Sequence, residues 1–493
     1  MATGYGALTN LAPGARIIPP YPPRPDRDIS PWRRLKLAQE NLIAIFEASV
    51  FERDFSETKI LTKHVFLCNS PELVQYAFST KNENFERKSS AMRHMLEPLM
   101  GDGLFISEGE TWRTRRRIVS PIVQASRLSE FAPIMAETAI ERADRWAALP
   151  DGTVIDALSE MAQLTAEIIC RAIFGRELGA DDARDIVHGF SEFQRAVSRI
   201  DLFSLLGLPD WVPRARRFSV YRSVRRIHRV IDEIVAGHRE RANAKTVSLV
   251  GRLMEARDPD SGEPLDSLAI RNEAVVIFMA GHETTASTLS FAWFLISQAP
   301  DVEARLHDEI DGVLGDRPPT LADVPKLVYT RAIIEETLRL YPPIPILARE
   351  ALREETIAGR RVPKGSLILV APWLLHRNRN VWDRPDDFLP ERFLEENGPA
   401  PDKWSYIPFS IGPRVCAGMA FGLTETILSV AALAQRFSLR LVNGHEMRPV
   451  CRVSLRPGDA LPMTLHRRDR RGAVASFSAP AATEPLRCPF DHG

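Results

Sequence analysis

The 493-residue chain is 44% hydrophobic and 26% charged, and its 64 basic and 64 acidic residues cancel to a formal net charge of zero. That is a globular composition with ample material for a core, and its neutral balance gives no reason to invoke nucleic acid as a partner. Five cysteines, at 68, 170, 416, 451 and 488, are scattered without a CxxC pair, which indicates neither a zinc site nor a disulfide framework and fits a reducing compartment.

Residues 1–30 read as a polar, proline-rich arm. The run Pro19-Pro-Tyr-Pro-Pro-Arg-Pro25 has fixed φ angles that favour a stiff, extended lead-in rather than a packed element. No secretory signal is visible, and no run of about 18 apolar residues could span a bilayer. A soluble, cytoplasmic protein without a transmembrane anchor is expected. Strand-like pieces fall at Lys59–Leu67 and Ser366–Ala371, where β-branched and apolar residues cluster. Amphipathic stretches over 131–149, 155–175, 218–238, 267–298 and 301–314 predict long helices. The fold class is therefore mainly α with small β-sheets (α+β). Length alone suggests roughly three domains, but no linker interrupts 35–465. One domain over 31–466 is expected, followed by a loose Arg-, Ala-, Ser- and Pro-rich tail over 467–493.

Four constellations carry chemistry. In Trp112-Arg-Thr-Arg-Arg116, the indole and the last guanidinium are four apart, so on a helix they can grip an anion from two directions. Within the apolar run Val275–Ala286 stands Ala280-Gly281-His282-Glu283-Thr284-Thr285. On a helix, the Thr284 hydroxyl can bond the Ala280 carbonyl and open the ladder, with Gly281 keeping the wall thin. Glu283 adds an ionisable group to a greasy helix, which is costly without a purpose. A His-Glu-x-x-His zinc motif fails there because position 286 is Ala286. Glu336 and Arg339 share a helix face, and Arg392 in Pro390-Glu-Arg-Phe393 could close a Glu–Arg–Arg cluster that pins a loop.

The fourth is Phe409-Ser-Ile-Gly412-Pro-Arg414-Val-Cys416-Ala-Gly418, where a loop gives way to an apolar helix. A thiolate is the ligand a haem iron takes when it must split dioxygen. A helix start beyond Cys416 offers unpaired N–H groups and a positive dipole end to a sulfur anion. Gly412 and Gly418 would let the backbone lie against a flat macrocycle, and Arg414 can reach an anionic edge. One buried cysteine beside a helix is the plainer alternative.

Together these motifs resemble the cytochrome P-450 haem-thiolate monooxygenases, in order and approximate spacing from about residue 30 to 466. The resemblance implies a haem b held between a central long helix and the cysteine loop. It makes Cys416 the iron ligand and places Phe409, Gly412, Arg414, Gly418, Trp112, Arg116 and Arg349 around the cofactor. It assigns Glu283 and Thr284 to proton delivery. The implied reaction inserts one atom of O2 into a lipophilic small molecule: a terpenoid, fatty acid or steroid. Pocket positions carried over with it are Val276, Phe278, Ala280, Ile344, Ile346, Leu347, Ala460 and Leu461.

No long apolar stretch precedes Pro19, which suggests a soluble bacterial-type member, although Leu375-His-Arg-Asn and Pro-Glu-Arg-Phe resemble the anchored type. No flavin or iron–sulfur sequence follows, so a separate ferredoxin or flavodoxin with its NAD(P)H reductase is expected to supply electrons. A basic face near Arg113, Arg115, Arg117 and Arg377 would suit such an acidic partner. The stretch Leu202–Trp211, before the basic run Arg214–Arg229, is a candidate access flap. Two other readings stay open. A haem-thiolate isomerase or peroxygenase would share Cys416, and a haem-based sensor could use the tail motif Cys488-Pro-Phe-Asp-His492.

Overall fold

A computed structural model describes residues 16–26, 29–60, 63–175, 189–190, 193, 218–240 and 248–468. The candidate flap 202–211, the start of the basic run after it and the tail with Cys488 and His492 lie outside the described residues. In chain order the helices are α1 (Pro31–Glu40), α2 (Pro71–Gln75), α3 (Ser90–Met100), α4 (Gly109–Val119), α5 (Leu128–Ala147), α6 (Ala157–Phe174), α7 (Phe218–Glu240) and α8 (Leu249–Glu255). They continue as α9 (Ser267–Gln298), α10 (Pro300–Leu314), α11 (Val328–Leu340), α12 (Pro372–Leu375) and α13 (Met419–Ala434). The strands are β1 (Phe55–Ile60), β2 (Lys63–Cys68), β3 (Arg87–Lys88), β4 (Val154–Asp156), β5 (Leu347–Glu350), β6 (Glu355–Ile357) and β7 (Arg360–Val362). The remainder are β8 (Leu367–Val370), β9 (Phe437–Leu441), β10 (Val450–Cys451), β11 (Leu455–Arg456) and β12 (Pro462–Arg467).

The long helix α9 organises the core. Asp266 caps it by accepting from the Ala269 N–H at 2.7 Å. It ends at Gln298 because Pro300 pushes Ala299 out of the helical region, to φ −125° and ψ 81°. Apolar residues surround the axis rather than forming one stripe, so Phe278, Leu289, Phe291, Ala292 and Leu295 are all fully buried. Helices α6, α11 and α13 pack around it. Thr165 of α6 donates to the His282 carbonyl at 3.0 Å, joining two helices through one hydroxyl.

A five-stranded sheet in the order β1-β2-β8-β5-β3 lies to one side. Its only parallel pair, β2 with β8, runs from Val65↔Leu367 to Cys68↔Val370. A three-stranded sheet β4-β12-β9 and the hairpins β6–β7 and β10–β11 complete the β structure. The expected Ser366–Ala371 strand is β8. The run at Lys59–Leu67 is instead two strands, paired antiparallel from Phe55↔Cys68 to Ile60↔Lys63. Only the second of them is buried along its length.

The described part of the proline-rich arm, residues 16–26, is packed, contrary to expectation. Arg24 sits 4.2 Å from the Tyr21 ring centroid and 4.0 Å from that of Phe51, and its fork meets the Asp386 carboxylate at 2.5 and 3.1 Å. The buried Tyr341 hydroxyl donates to the Pro20 carbonyl at 2.7 Å. Fixed φ angles leave these residues extended, but they still bury Ile17, Pro19 and Pro20.

Candidate functional site

Cys416 differs from the other described cysteines. Cys68, Cys170 and Cys451 are buried, and burial pushes the Cys68 and Cys451 thiols up to about 12. The Cys416 side chain is exposed to a water-sized probe, yet desolvation is still the largest influence on its thiol and raises it. Both hold if the sulfur faces an enclosed space inside the protein rather than bulk water. The Gly418 amide and the Arg116 guanidinium pull in the opposite direction and favour the anion. Beyond it, α13 starts at Gly418 without a side-chain cap, so its first amides are free to stabilise negative charge.

The loop geometry is set by the backbone. Gly412 takes φ +72°, and a Cβ there would lie 2.0 Å from the Phe78 carbonyl oxygen. Glycine is therefore required at this position by the protein's own main chain. At Gly418 a Cβ would meet nothing within 4 Å, which leaves that face open. The Cys416 N–H donates to the Phe409 carbonyl at 2.9 Å and fixes the turn.

Beyond its exposed first residues, α9 is buried except on one short face. Ala280 is exposed, and Gly281 and Thr284 are half-buried, in the middle of an otherwise internal helix. The Thr284 hydroxyl donates to the Ala280 carbonyl at 2.5 Å, as its i−4 position predicts, and Thr288 repeats the pattern to Thr284 at 2.9 Å. Gly281 faces away from this wall, since a Cβ on it would touch Ile169 of α6 at 3.0 Å; its role is close helix packing. Glu283 pairs with Arg456 of β11 at 2.5 Å. Phe278 is fully buried and stacks on Phe190, with ring centroids 4.2 Å apart.

Four cations gather between these walls and the sheet. Arg349 on β5 is almost wholly buried, and burial lowers its pKa to about 9, with Arg414 adding repulsion. Arg414 is lowered to about 10 by burial, opposed by Glu86 and Glu108 and reinforced by Arg116 and Arg113; its guanidinium carbon lies 4.4 Å from the Trp112 ring centroid. Arg116, one turn after Trp112 on α4, is lowered by burial. Lys88 on β3 is the member missed in the sequence. Burial pushes it well below its ordinary value, and Arg349 and Arg414 push it further. Among the described residues, no ion pair links any of the four to a carboxylate. Unpaired buried cations are costly, and their convergence at the rim of the space before Cys416 fits a group that brings its own carboxylates. The residues present thus fit a haem, with Cys416 toward the iron and Lys88, Arg116, Arg349 and Arg414 toward the propionates.

The Glu336–Arg339–Arg392 cluster forms as expected. Glu336 and Arg339 are fully buried and meet at 2.6 and 2.7 Å. Arg339 also donates to the carbonyls of His376 and Pro385 at 2.7 Å and of Asp387 at 2.8 Å. Glu336 accepts in addition from Arg392 at 3.2 Å and from the Leu389 N–H at 2.8 Å. Such a satisfied network holds the 376–392 segment against α11.

The arginines expected to make a basic docking face do not form one among the described residues. Arg115 is buried and pairs with Asp102, Arg117 pairs with Asp258 and Asp260, and Arg113 meets Glu86 and Glu110. Arg377 is buried over Trp373, 3.8 Å from the ring centroid, and bonds the Leu340 carbonyl. An alternating run of arginines placed each on a different neighbour rather than on one solvated surface.

Comparison with known proteins gives one consistent result. The Cytochrome P450 family model matches residues 38–458. Cyclooctatin synthase of Streptomyces melanosporofaciens is 32% identical over 410 residues, 82% of this chain and 87% of that protein. Cyclooctat-9-en-7-ol 5-monooxygenase of the same organism is 32% identical over 396 residues, covering 79% and 83%. The crystal structure of the cytochrome P450DA heme domain superposes with a TM-score of 0.78 at 24% identity, over 92% of this chain and 99% of that one.

Proposed function

This chain belongs to the cytochrome P450 family and is a haem-dependent monooxygenase, and from that premise we propose that it oxygenates a lipophilic, terpenoid-like small molecule. What supports the reading is a cluster of four cations without carboxylate partners, Lys88, Arg116, Arg349 and Arg414, one of which acts on the Cys416 thiol, together with the opened turn at Thr284. Two relatives named for cyclooctatin compounds support a ring-containing hydrocarbon scaffold over a linear acid. The proposed cofactor form is haem b, held without covalent attachment in the domain 31–466.

When bound, the haem supplies the binding and reductive activation of O2. The chain's own residues do the rest. Cys416 ligates the iron, and the Gly418 amide with the α13 terminus steadies the negative sulfur. Lys88, Arg116, Arg349 and Arg414, with Trp112, hold the propionates, and Phe409 and Gly418 shape the cysteine-side face. Thr284 can hold a proton-carrying water in the wall of the chamber, because its own hydroxyl proton is given to the Ala280 carbonyl and its oxygen is free to accept from that water. Glu283 replenishes that proton once its carboxylate moves off Arg456. An acid–threonine pair favours O2-dependent chemistry over isomerase or peroxygenase chemistry, which has no need of it. Electrons come from a ferredoxin- or flavodoxin-type donor and its NAD(P)H reductase. No described helix is long and apolar enough to cross a membrane, and we place the protein in the cytoplasm.

The test is an optical titration of the ferric protein with terpenoids, fatty acids and steroids. Saturable conversion from low-spin to high-spin by cyclic terpenoids, followed by oxygenated product with surrogate electron donors, is expected. A shift confined to linear fatty acids would overturn the substrate class.

A further inference from the structure

Residues 101–107 run from the buried first half of α9, one turn before Ala280, to the cysteine loop. At one end, Cβ atoms on Gly101 (φ +55°) and Gly103 would stand 2.3 Å from Asn272 Nδ2 and 2.7 Å from Val276 Cγ2, so the segment lies directly on α9. At the other end, the Ser107 carbonyl accepts from Arg414 Nη2 at 2.8 Å, and Lys88 Nζ stands 4.7 Å from the Phe105 ring centroid. Between them the Leu104 N–H donates to both carboxyl oxygens of Glu273, at 3.0 and 3.2 Å. Glu273 is wholly buried on α9. Its charged neighbours are Arg115 of α4, 3.6 Å away, and Asp102 of the segment itself. Asp102 in turn accepts from Asn272 at 2.9 Å and from Arg115 at 3.2 Å.

An uncharged amide would satisfy the Leu104 N–H without placing an ionisable group in the core. We propose that Glu273 is a positioning residue that latches residues 101–107 over the chamber between α9 and Cys416 and so governs entry of substrate-sized molecules. The inference rests on the haem-thiolate reading of that chamber. Burial pushes the Glu273 carboxyl up to about 8, against Arg115 and the Leu104 amide, with Asp102 adding to the rise. On the α7 side, His228 meets the Leu99 carbonyl at 2.8 Å near Asp232 and Arg271, and burial lowers it, so it stays neutral above pH 7. A latched carboxyl with a raised pKa faces an unlatched, hydrated one with an ordinary pKa near 4.5. Proton loss therefore favours the unlatched state, and the latch opens as pH rises through about 8.

The experiment is rapid mixing of the ferric holoprotein with 4-phenylimidazole, a bulky iron ligand that is neutral above about pH 7, followed optically. In wild type the binding rate constant is expected to rise about five-fold between about pH 7 and about pH 9.5 as the latch opens. Glu273→Gln keeps an acceptor for Leu104 and should give a flat profile. Arg115→Gln should move the wild-type midpoint to higher pH and Asp102→Asn to lower pH, opposite shifts that simple loosening of the fold would not produce. Identical profiles for wild type and Glu273→Gln overturn the latch. The reduced carbon monoxide spectrum of the same samples reports separately on the thiolate: its absence overturns the chamber reading and the latch with it, whereas its presence with identical profiles overturns the latch alone.

Discussion

Replacing Lys88 with methionine should change the stability of the haem-free and haem-bound proteins in opposite directions. In the haem-free chain Lys88 is buried beside Arg349 and Arg414 with no carboxylate partner, and its nearest compensation is the face of Phe105 at 4.7 Å. Substituting an apolar side chain of similar volume removes a desolvation penalty and two repulsions. Buried charges replaced in this way give about 1–4 kcal/mol of stabilisation. In the holoprotein the same ammonium faces a propionate, and losing a charged contact of that kind costs about 1.5–3 kcal/mol. At about 1.4 kcal/mol per decade, haem should leave about 10- to 100-fold faster. The assays are urea unfolding of the haem-free protein and haem transfer to an excess of apomyoglobin. The pH dependence adds a sign. Lys88 binds its proton less tightly in the fold than in the unfolded chain, because burial is the dominant cause. Its unfavourable contribution is thus absent above the ordinary lysine value of 10.5 and grows as pH falls toward the depressed folded value. The haem-free wild type should gain stability with rising pH through this window relative to Lys88→Met. If the substitution weakens both forms, or leaves haem transfer unchanged, Lys88 does not face a propionate.

Other expected outcomes rest on separate parts of the site. Glu336→Ala leaves the fully buried Arg339 uncompensated and should cost about 3–5 kcal/mol, whereas Arg392→Ala removes a 3.2 Å contact to Glu336 and exposed bonds to the Asp383 and Arg384 carbonyls and should cost about 1–2 kcal/mol; equal shifts in denaturation midpoint would contradict the geometry. Thr284→Ala should retain haem and ligand-induced spin shifts but divert NAD(P)H-derived electrons to peroxide, measured as product formed per NAD(P)H consumed. Gly412→Ala puts a Cβ 2.0 Å from the Phe78 carbonyl at a positive φ, and should abolish the thiolate-type carbon monoxide spectrum; a normal spectrum would mean that the loop shifts at little cost.

Legibility varied with how local the physics was. The α9 boundaries could be read to the residue because an Asp cap and a following proline bracket one apolar run. The Thr284–Ala280 bond was legible too, being a consequence of helical spacing alone. Gly281 was misassigned because periodicity says which residues share a face but not which neighbour that face meets; Ile169 comes from more than 100 positions earlier. Lys88 carries no local signal, since it follows Arg87, a surface-paired arginine bonded to Glu108, and sits in a strand of only two residues. The arm failed for a similar reason: proline fixes its extended shape, while its packing depends on Asp386 and Tyr341.

The charged residues show what separates a structural cation from a cofactor-facing one in this fold. Arg115, Arg117, Arg339 and Arg392 each end on a carboxylate supplied by the chain, and Arg377 approaches Asp386 at 3.8 Å. Lys88, Arg116, Arg349 and Arg414 are no more exposed as a group, yet none ends on one. Burial depth therefore does not distinguish the two sets, nor does residue type or position along a helix, since Arg115 and Arg116 are neighbours on α4. What distinguishes them is that the second set is electrostatically incomplete, and every member borders the space in front of Cys416. A protein with zero formal net charge that keeps four cations unpaired inside needs an anion from elsewhere. It follows that loss of haem should be felt first among these four groups, as mutual repulsion, while the Glu336–Arg339–Arg392 network, satisfied by its own partners, remains closed.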